Sequence, residues 1–291
     1  MPDPVPTDWL PAGFSRHDVK VDDKRYFVAV GGSGPNLVLL HGWPQTSRAW
    51  RHVMPELART QTVVVPDLLG AGNSEIADDG YAKVDQAKDL SDLLKALELP
   101  RGAHVVGHDI GAMVALAWAA SRSDEVASLT VVDVAFPGLG LEEMVTASEG
   151  AMWHFDFFAA PFPFPEMLLD GHVAEFFTTT FHALSNDGTF TDADIAYHVN
   201  AYSGRERLRG GFEQYRAFRR DAVDFRRLLK STRLRMPVLA IGGSSMGERV
   251  AGALRSRAVD VTGRVAPTGH FVAEEDPAWF THALRELLAR H

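Results

Sequence analysis

Short apolar runs that end in turn residues recur along the chain, and helical patterns separate several of them. The runs are "NLVLLHG", "TVVVPD", "AHVVGHD" and "LTVVDV", followed late in the chain by "MPVLAIGG" and "VTGRVAP". Continuous β-branched runs of this length are typical of strands that are buried on both faces, as in a parallel sheet. The intervening segments "AKDLSDLLKALEL" and "IGAMVALAWAASR" have helical periodicity. This alternation predicts an α/β fold with a mostly parallel sheet flanked by helices.

Two further patterns complete the predicted organisation. The segments "SRHDVKV" and "KRYFVAV" alternate polar and apolar residues around "DDK", which predicts an antiparallel hairpin at a sheet edge. From residue 136 to 234 the alternation of strands and helices stops, and Phe, Pro and helical patterns dominate. We therefore predict a core formed by residues 1–135 and 235–291 and an inserted helical cap formed by residues 136–234. The segment "PAWFTHALRELLAR" predicts a terminal helix.

Composition excludes several classes of function. A net charge of −9 disfavours nucleic acid and an anionic membrane as partners, and the absence of cysteine excludes disulfides and thiolate chemistry. There is no run of eighteen apolar residues and no basic-then-apolar signal at the N-terminus, so we expect a cytoplasmic protein that does not enter a membrane. The 12 histidines show no HExxH spacing, and "GAGNSE" lacks the third glycine of a dinucleotide fingerprint. The sequence therefore predicts no metal and no cofactor, and it leaves a homodimer open.

The segment "VVGHDIGAMVALAW" contains the pattern G-x-D-x-G where many enzymes have G-x-S-x-G. An apolar run ends at Gly107, and a helical pattern resumes after Asp109. The glycines suit a strained turn with a crowded backbone. Such a turn directs residue 109 outward at the carboxyl edge of the sheet, where ligands bind in open α/β folds. Asp109 is therefore a candidate nucleophile, and the alternative is that it serves only as a helix N-cap.

A second loop offers backbone donors for the same site. The segment "LLHGWPQTSRAW" follows a predicted strand, and its His-Gly-x-Pro turn can direct the N–H of Trp43 toward the pocket. The N–H of Ile110, at the start of the helix, faces the same place. Together these two groups would form an oxyanion hole. The alternative is an ordinary Gly-Pro turn.

A histidine and a second carboxylate follow in the order that a nucleophile of this kind requires. The segment "APTGHFVAEEDPAW" places His270 directly after the last predicted strand, where it could act as a general base on water. A carboxylate must orient that imidazole. Asp133 ends the strand "LTVVDV", whereas the loop after "MPVLAIGG" offers only Glu248. We favour Asp133, and the alternative is that it only caps the strand end.

These motifs identify a family resemblance. The segments "HGWPQT", "DLLGAGNS", "GHDIGA" and "PTGHFVAEEDP", with "WHFDFF" and "FEQYRAF" in the predicted cap, resemble the α/β-hydrolase superfamily and, within it, the epoxide hydrolases that use an Asp nucleophile. The resemblance covers nearly the whole chain. It implies the α/β-hydrolase fold and a reaction in two steps. Asp109 attacks an epoxide carbon to form an ester, and water activated by His270, which Asp133 orients, hydrolyses that ester.

An aspartate suits this chemistry because the attacked carbon is sp³. The resulting ester can be hydrolysed to regenerate the carboxylate, whereas a serine would leave a stable ether. The predicted cap is rich in Phe and Leu, so the expected partners are a small apolar epoxide and water.

Ring opening produces an alkoxide, so the resemblance also implies a proton donor opposite Asp109. Common epoxide hydrolases use two cap tyrosines, and Tyr215 in "FEQYRAF" matches the second of them. His154 in "AMWHFDFF" stands at the first position, as in a bacterial subgroup with a His and Tyr pair. The alternatives are a buried histidine with satisfied hydrogen bonds and a tyrosine that only packs in the core.

Two other functions compete on the same scaffold. Haloalkane dehalogenases typically carry Trp after the nucleophile, and haloacetate dehalogenases carry Arg there and three residues later. Here those positions are Ile110 and Met113, so a substrate carboxylate would lack its bidentate partner. His154, Trp153 and Tyr215 nevertheless resemble the halide-side residues of haloacetate enzymes, although the order of His and Trp differs. The other competing function is that of a catalytically silent binding protein on this fold. The presence of all three candidate catalytic residues, Asp109, Asp133 and His270, disfavours it.

Overall fold

The predicted apolar runs form one eight-stranded sheet in the computed structural model, which describes residues 4–145, 152–230 and 233–290. The strands, numbered β1 to β8 in chain order, are Phe14–Val21, Lys24–Gly32, Asn36–Leu40, Thr62–Pro66, Ala103–His108, Val126–Val132, Val238–Gly242 and Val261–Val265. Their order in the sheet is β1-β2-β4-β3-β5-β6-β7-β8. Strands β3 to β8 pair in parallel, and β2 pairs antiparallel with β1 and β4. The predicted fold class and edge hairpin are confirmed.

Helices cover both faces of this sheet. Helices α1 to α3 are Met54–Leu57, Lys83–Ala96 and Ile110–Ser121, and α10 to α12 are Arg249–Arg255, Val272–Glu275 and Pro277–Leu288. Single turns of 3-10 helix occupy Ser47–Trp50 and Ser123–Glu125. Along β3, Val38 and Leu40 join the core under α2 and α3, whereas Leu37 and Leu39 join the core under α12. The central strands are buried on both sides, which explains why their sequences are continuously apolar.

Between β6 and β7, the residues that the structure describes form six helices. Helices α4 to α9 are Trp153–Ala159, Phe164–Leu169, Val173–Leu184, Asp192–Tyr202, Arg205–Arg216 and Phe218–Leu228. Aromatic side chains hold them together, as where Phe158 of α4 stacks on Phe212 of α8 with ring centroids 4.6 Å apart. Helix α8 also lies against the core loop after β4. A Cβ added at Gly210 would lie 2.5 Å from the carbonyl oxygen of Gly70, so this approach requires glycine.

Candidate active site

The candidate nucleophile lies at the sharp turn between β5 and α3. Asp109 has φ 49° and ψ −120°, a region that costs a non-glycine residue about 1–3 kcal/mol. Asp109 occupies the N-cap position of α3, but its side chain makes no capping hydrogen bond. Its Oδ2 instead accepts a hydrogen bond from the backbone N–H of Trp43 at 3.0 Å. The side chain therefore points to the loop after β3, and capping does not account for it.

The loop after β3 approaches Asp109 closely. A Cβ added at Gly42 would lie 2.6 Å from Asp109 Cβ and 2.8 Å from its Oδ2, so only glycine fits between β3 and the turn. The ring of His41 anchors the loop, because its Nδ1 donates to the Gly42 carbonyl and its Nε2 accepts from the Leu68 N–H. This geometry directs the N–H of Trp43 at the Asp109 carboxylate.

The surroundings of Asp109 act on its pKa in opposite directions. Burial raises the pKa of this carboxyl above its usual range. The charge of His270 and the hydrogen bonds from the backbone N–H groups of Trp43 and Ile110 act in the opposite direction without cancelling the effect of burial. The Trp43 N–H is therefore hydrogen-bonded to the Asp109 carboxylate, and the Ile110 N–H acts on the carboxyl group by lowering its pKa.

The second carboxylate and the histidine form a hydrogen-bonded pair. His270 Nδ1 donates to Asp133 Oδ2 at 2.6 Å. Asp133 follows β6 with φ 42°, and its Oδ1 accepts the backbone N–H of Gly243 at 2.6 Å. Glu248, the alternative carboxylate, is exposed and pairs with Arg255 at 2.7 Å. The structure thus brings Asp133, and not Glu248, to His270, and Asp133 does more than cap a strand end.

This pairing determines the proton affinity of His270. Burial opposes ionisation of the ring, but the Asp133 hydrogen bond and the charges of Asp133, Asp109 and Glu275 outweigh burial and raise its pKa above the usual value. The Asp133 carboxylate holds the proton on Nδ1, so Nε2 is the nitrogen left to accept a proton in the neutral ring.

A cavity of about 480 Å³ lies between the carboxyl edge of the sheet and the inserted helices. Its lining includes the side chains of Asp109, His154, Tyr215 and His270. Its lining is mostly apolar and includes Met113, Val134, Phe155, Phe158, Phe176 and Leu184. A lining of this kind with a few convergent polar groups is typical of a small-molecule site. The cavity volume is within the range of about 300–1,000 Å³ that such sites occupy.

His154 and Tyr215 reach this cavity from α4 and α8. Neither side chain has a hydrogen-bond partner among the residues that the structure describes, which leaves both polar ends available to a ligand. Burial, and secondarily the charge of His270, lowers the pKa of His154 to about 4, so its ring is neutral near pH 7. Burial, with the charges of Asp109 and Tyr202, raises the pKa of Tyr215 well above its usual value, so its hydroxyl stays protonated.

Several supporting groups were missed at the sequence level. His108 Nε2 donates to the backbone carbonyl of His270 at 2.9 Å, and burial followed by the charge of His270 holds the pKa of His108 well below its usual value. The His270 N–H donates to the Leu184 carbonyl at 2.7 Å, which ties the histidine loop to α6. His108 stands inside the motif "GHDIGA", but no spacing rule indicated which residue its ring would contact.

Across residues 4–145, 152–230 and 233–290, no group of three or more His, Asp or Glu side chains is arranged to hold a metal ion. No helix in the described part of the chain is long and apolar enough to span a membrane.

Comparison with known proteins places this geometry in a family. The α/β-hydrolase fold family matches residues 35–277. A soluble epoxide hydrolase of Corynebacterium sp. (strain C12) is 34% identical over 286 residues, which cover 90% of this chain and 93% of the relative. The chain belongs to the α/β-hydrolase family and, within it, to the epoxide hydrolases. This hydrolase also resembles the solved structure of the epoxide hydrolase CorEH, determined without ligand, with a TM-score of 0.84 and 30% identity. The match covers 95% of this chain and 99% of that one.

A second relative is named for a different reaction. A fluoroacetate dehalogenase of Burkholderia sp. is 30% identical over 299 residues, which cover 95% of this chain and 94% of the relative. Family membership therefore supports a hydrolase on this fold, and the choice between epoxide and halogenated substrates depends on the site.

Proposed function

We propose that this hydrolase opens an epoxide to a vicinal diol through a covalent ester on Asp109. The observation that carries the proposal is that Asp109, His154, Tyr215 and His270 line the same cavity. A carboxylate nucleophile, two neutral hydrogen-bond donors and a base that Asp133 orients thus face one substrate. Epoxide hydrolysis requires all of these roles.

In the first step, an Asp109 carboxylate oxygen attacks an epoxide carbon from the side opposite the ring oxygen. Oδ2 accepts the Trp43 N–H, so Oδ1 is the attacking atom. A new C–O bond forms, the ring C–O bond breaks, and its electron pair moves to the epoxide oxygen. Tyr215 and neutral His154 donate hydrogen bonds to this developing alkoxide, and the Tyr215 hydroxyl transfers its proton to it.

In the second step, water attacks the ester carbonyl carbon while His270 Nε2 accepts its proton. The N–H groups of Trp43 and Ile110 stabilise the oxyanion of the tetrahedral intermediate, because they already point at the Asp109 carboxyl group. The intermediate expels the diol oxygen, which takes the proton from His270. The Asp109 carboxylic acid that remains releases the second proton of the attacking water, which restores the Tyr215 hydroxyl, and the carboxylate is regenerated. The sum is one epoxide and one water converted to one diol.

The division of the chain that we predicted gives the inserted helices a role in this reaction. We infer that residues 136–234 form a cap, of which α4 and α8 supply the ring-opening pair and the core supplies the other site residues. Residues 146–151 and 231–232 of this segment lie outside the described residues. A cap that covers the cavity would exclude bulk water, which strengthens hydrogen bonds to the alkoxide.

Dehalogenation is the second candidate, because His154, Trp153 and Tyr215 line the cavity and could hold a halide. Against it, Ile110 and Met113 are buried and apolar, so neither provides a cation for a carboxylate beside the nucleophile. The deciding experiment supplies an aryl epoxide, a haloalkane and chloroacetate in parallel and measures diol formation and halide release. We expect diol from the epoxide. Halide release without any diol would make dehalogenation the function.

The ring-opening pair is testable separately from the ester chemistry. We expect Tyr215→Phe and His154→Phe each to slow alkylation of Asp109 by about 10- to 100-fold, because each removes a donor to the alkoxide. Hydrolysis of the ester should change much less. Pre-steady-state kinetics resolves the two steps. Tyr197→Phe, which alters a tyrosine outside the cavity lining, is the matched control. Unaffected alkylation in both cavity variants would refute the assignment.

The pH dependence of ester hydrolysis follows from the charges around His270. The second step needs the neutral ring, so its rate should rise with pH through the pKa of His270 and then level off. The Asp109 charge is one cause of the raised pKa, and esterification removes that charge. We therefore expect the pKa seen in ester hydrolysis to lie below that of the free enzyme by about one pH unit, which corresponds to roughly 1.4 kcal/mol.

NMR titration of the His270 ring in the free enzyme provides the comparison value for this prediction. Asp109→Ala, which also removes the charge, should lower the NMR value in the same direction. A kinetic pKa equal to or above the free-enzyme value would contradict the predicted coupling between the two residues.

A further inference from the structure

A buried lysine contacts the helix that carries Tyr215. Lys83, the first residue of α2, is 1% exposed. Its Nζ donates to the backbone carbonyl of Gln214 at 2.8 Å and lies 3.1 Å from the carboxylate of Asp221. The same ammonium lies 5.0 Å from the centre of the Phe218 ring. A fully buried cation is costly unless it is paired and hydrogen-bonded, and Lys83 meets both conditions.

These partners surround the position of Tyr215. Gln214 directly precedes Tyr215, and the ring of Phe218 packs against the Tyr215 ring with centroids 5.2 Å apart. Helix α8 ends at Arg216, so the Gln214 carbonyl is among the last four, which have no partner inside a helix. A cation at a helix C-terminus also interacts favourably with the helix dipole. Lys83 therefore supplies the donor for this end of α8.

The remaining contacts of this cluster fix its geometry. The Asp221 carboxylate of α9 also accepts the backbone N–H of Lys83 at 2.8 Å. The Gln214 amide donates to the Leu69 carbonyl at 2.9 Å and accepts from Gln86 at 2.8 Å. The junction of α8 and α9 is thus attached to α2 and to the loop after β4 through buried polar groups, each with a defined direction.

Stability alone is a weak reason for such a cluster. Replacing a buried ion pair by apolar residues of similar volume is often neutral or stabilising. Directional hydrogen bonds, by contrast, specify one arrangement of the helices that they join. A proton donor in the cavity depends on such an arrangement, because its hydroxyl must reach the oxygen that leaves the epoxide carbon.

We propose that Lys83 is a positioning residue for ring opening, which acts by fixing the α8–α9 junction so that the Tyr215 hydroxyl meets the leaving epoxide oxygen. The inference rests on the proposed function. Lys83 does not line the cavity, so it touches no substrate and acts through Tyr215. The effect of losing it should appear in the step that uses Tyr215 and not in the step that uses His270.

The test compares Lys83→Met, Tyr215→Phe and the double variant by pre-steady-state kinetics with an aryl epoxide. We expect Lys83→Met to slow alkylation about tenfold and to leave ester hydrolysis within twofold of the wild type. In the Tyr215→Phe background the same substitution should cost nothing further, because the group that it positions is already absent. Lys88→Met, at an exposed position on the same helix, is the matched control and should have no effect.

A second variant guards against misfolding. Lys83→Met leaves the Asp221 carboxylate buried without its cation, so Lys83→Met with Asp221→Asn, which removes both charges, is measured alongside and should show the same slowed alkylation. Equal slowing of both steps, or a full additional loss in the Tyr215→Phe background, would assign Lys83 a merely structural role and overturn the proposal while the proposed function stands. If the wild-type chain forms no ester from any epoxide, the proposed function fails and this proposal fails with it.

Discussion

Asp109→Ala should reduce diol formation by about 10⁴- to 10⁶-fold, the range seen when a group that forms the covalent intermediate is removed. The Asp109 carboxylate supplies the oxygen that bonds to the epoxide carbon, and none of the neighbouring groups can replace it. Trp43 and Ile110 contribute only N–H donors, and His270 can activate water but has no ester to hydrolyse. The fold should persist, because the Asp109 side chain makes no capping hydrogen bond to α3 and forms no ion pair with a residue that the structure describes.

The measurement is steady-state diol formation alongside a circular-dichroism spectrum. Asp124→Ala is the matched control, since this aspartate follows α3 and its side chain is 73% exposed. Full activity of Asp109→Ala with an unchanged spectrum would show that Asp109 is not the nucleophile.

Asp133→Asn should lower kcat by about 10⁴-fold, the loss that the same substitution causes in a serine-protease triad. The reason is the tautomer of His270. Asp133 Oδ1 accepts the Gly243 N–H, so an asparagine would place its oxygen there and turn its NH₂ group toward Nδ1. Nδ1 would then have to accept, the ring proton would move to Nε2, and the nitrogen that must take a proton from water would already carry one.

Glu248→Gln is the control for this prediction, because Glu248 was the other carboxylate that the sequence offered. Its side chain is 59% exposed and paired with Arg255, so the substitution should leave kcat unchanged. The measurement is kcat for both variants with one epoxide. The reverse ranking would move the orienting acid to the loop after β7.

Much of the fold was predictable because burial leaves a local signature. Strands covered on both faces are apolar along most of their length, as in β3 and β7, and the sequence shows this without alternation. Asp109 was predictable because the crowded turn requires glycines on both sides of it. The proximity of three further residues was predictable because parallel strands end at one edge of the sheet. Residues placed just after those ends lie close together, as Trp43, Asp133 and His270 do.

The remaining features depend on contacts between distant segments. The positions of His154 and Tyr215 rested on family resemblance, since nothing in "WHFDFF" or "FEQYRAF" indicates which side chain faces a cavity. Lys83 was not singled out, because a lysine early in an amphipathic helix usually lies in solvent. Its partners, Gln214 and Asp221, are more than 130 positions away in the chain. Only the packing of α8 and α9 against α2 brings them together.

The central claim is that Asp109 becomes an ester when this hydrolase meets an epoxide. The most direct test is the intact mass of the His270→Gln variant after incubation with an aryl epoxide, a short aliphatic epoxide, a haloalkane and chloroacetate. Without the base, the ester should accumulate. We predict a mass gain equal to one whole epoxide, located by peptide mapping on Asp109. An adduct that arises only from a halogenated compound and lacks the halide would contradict the account, and so would the absence of any adduct from either epoxide.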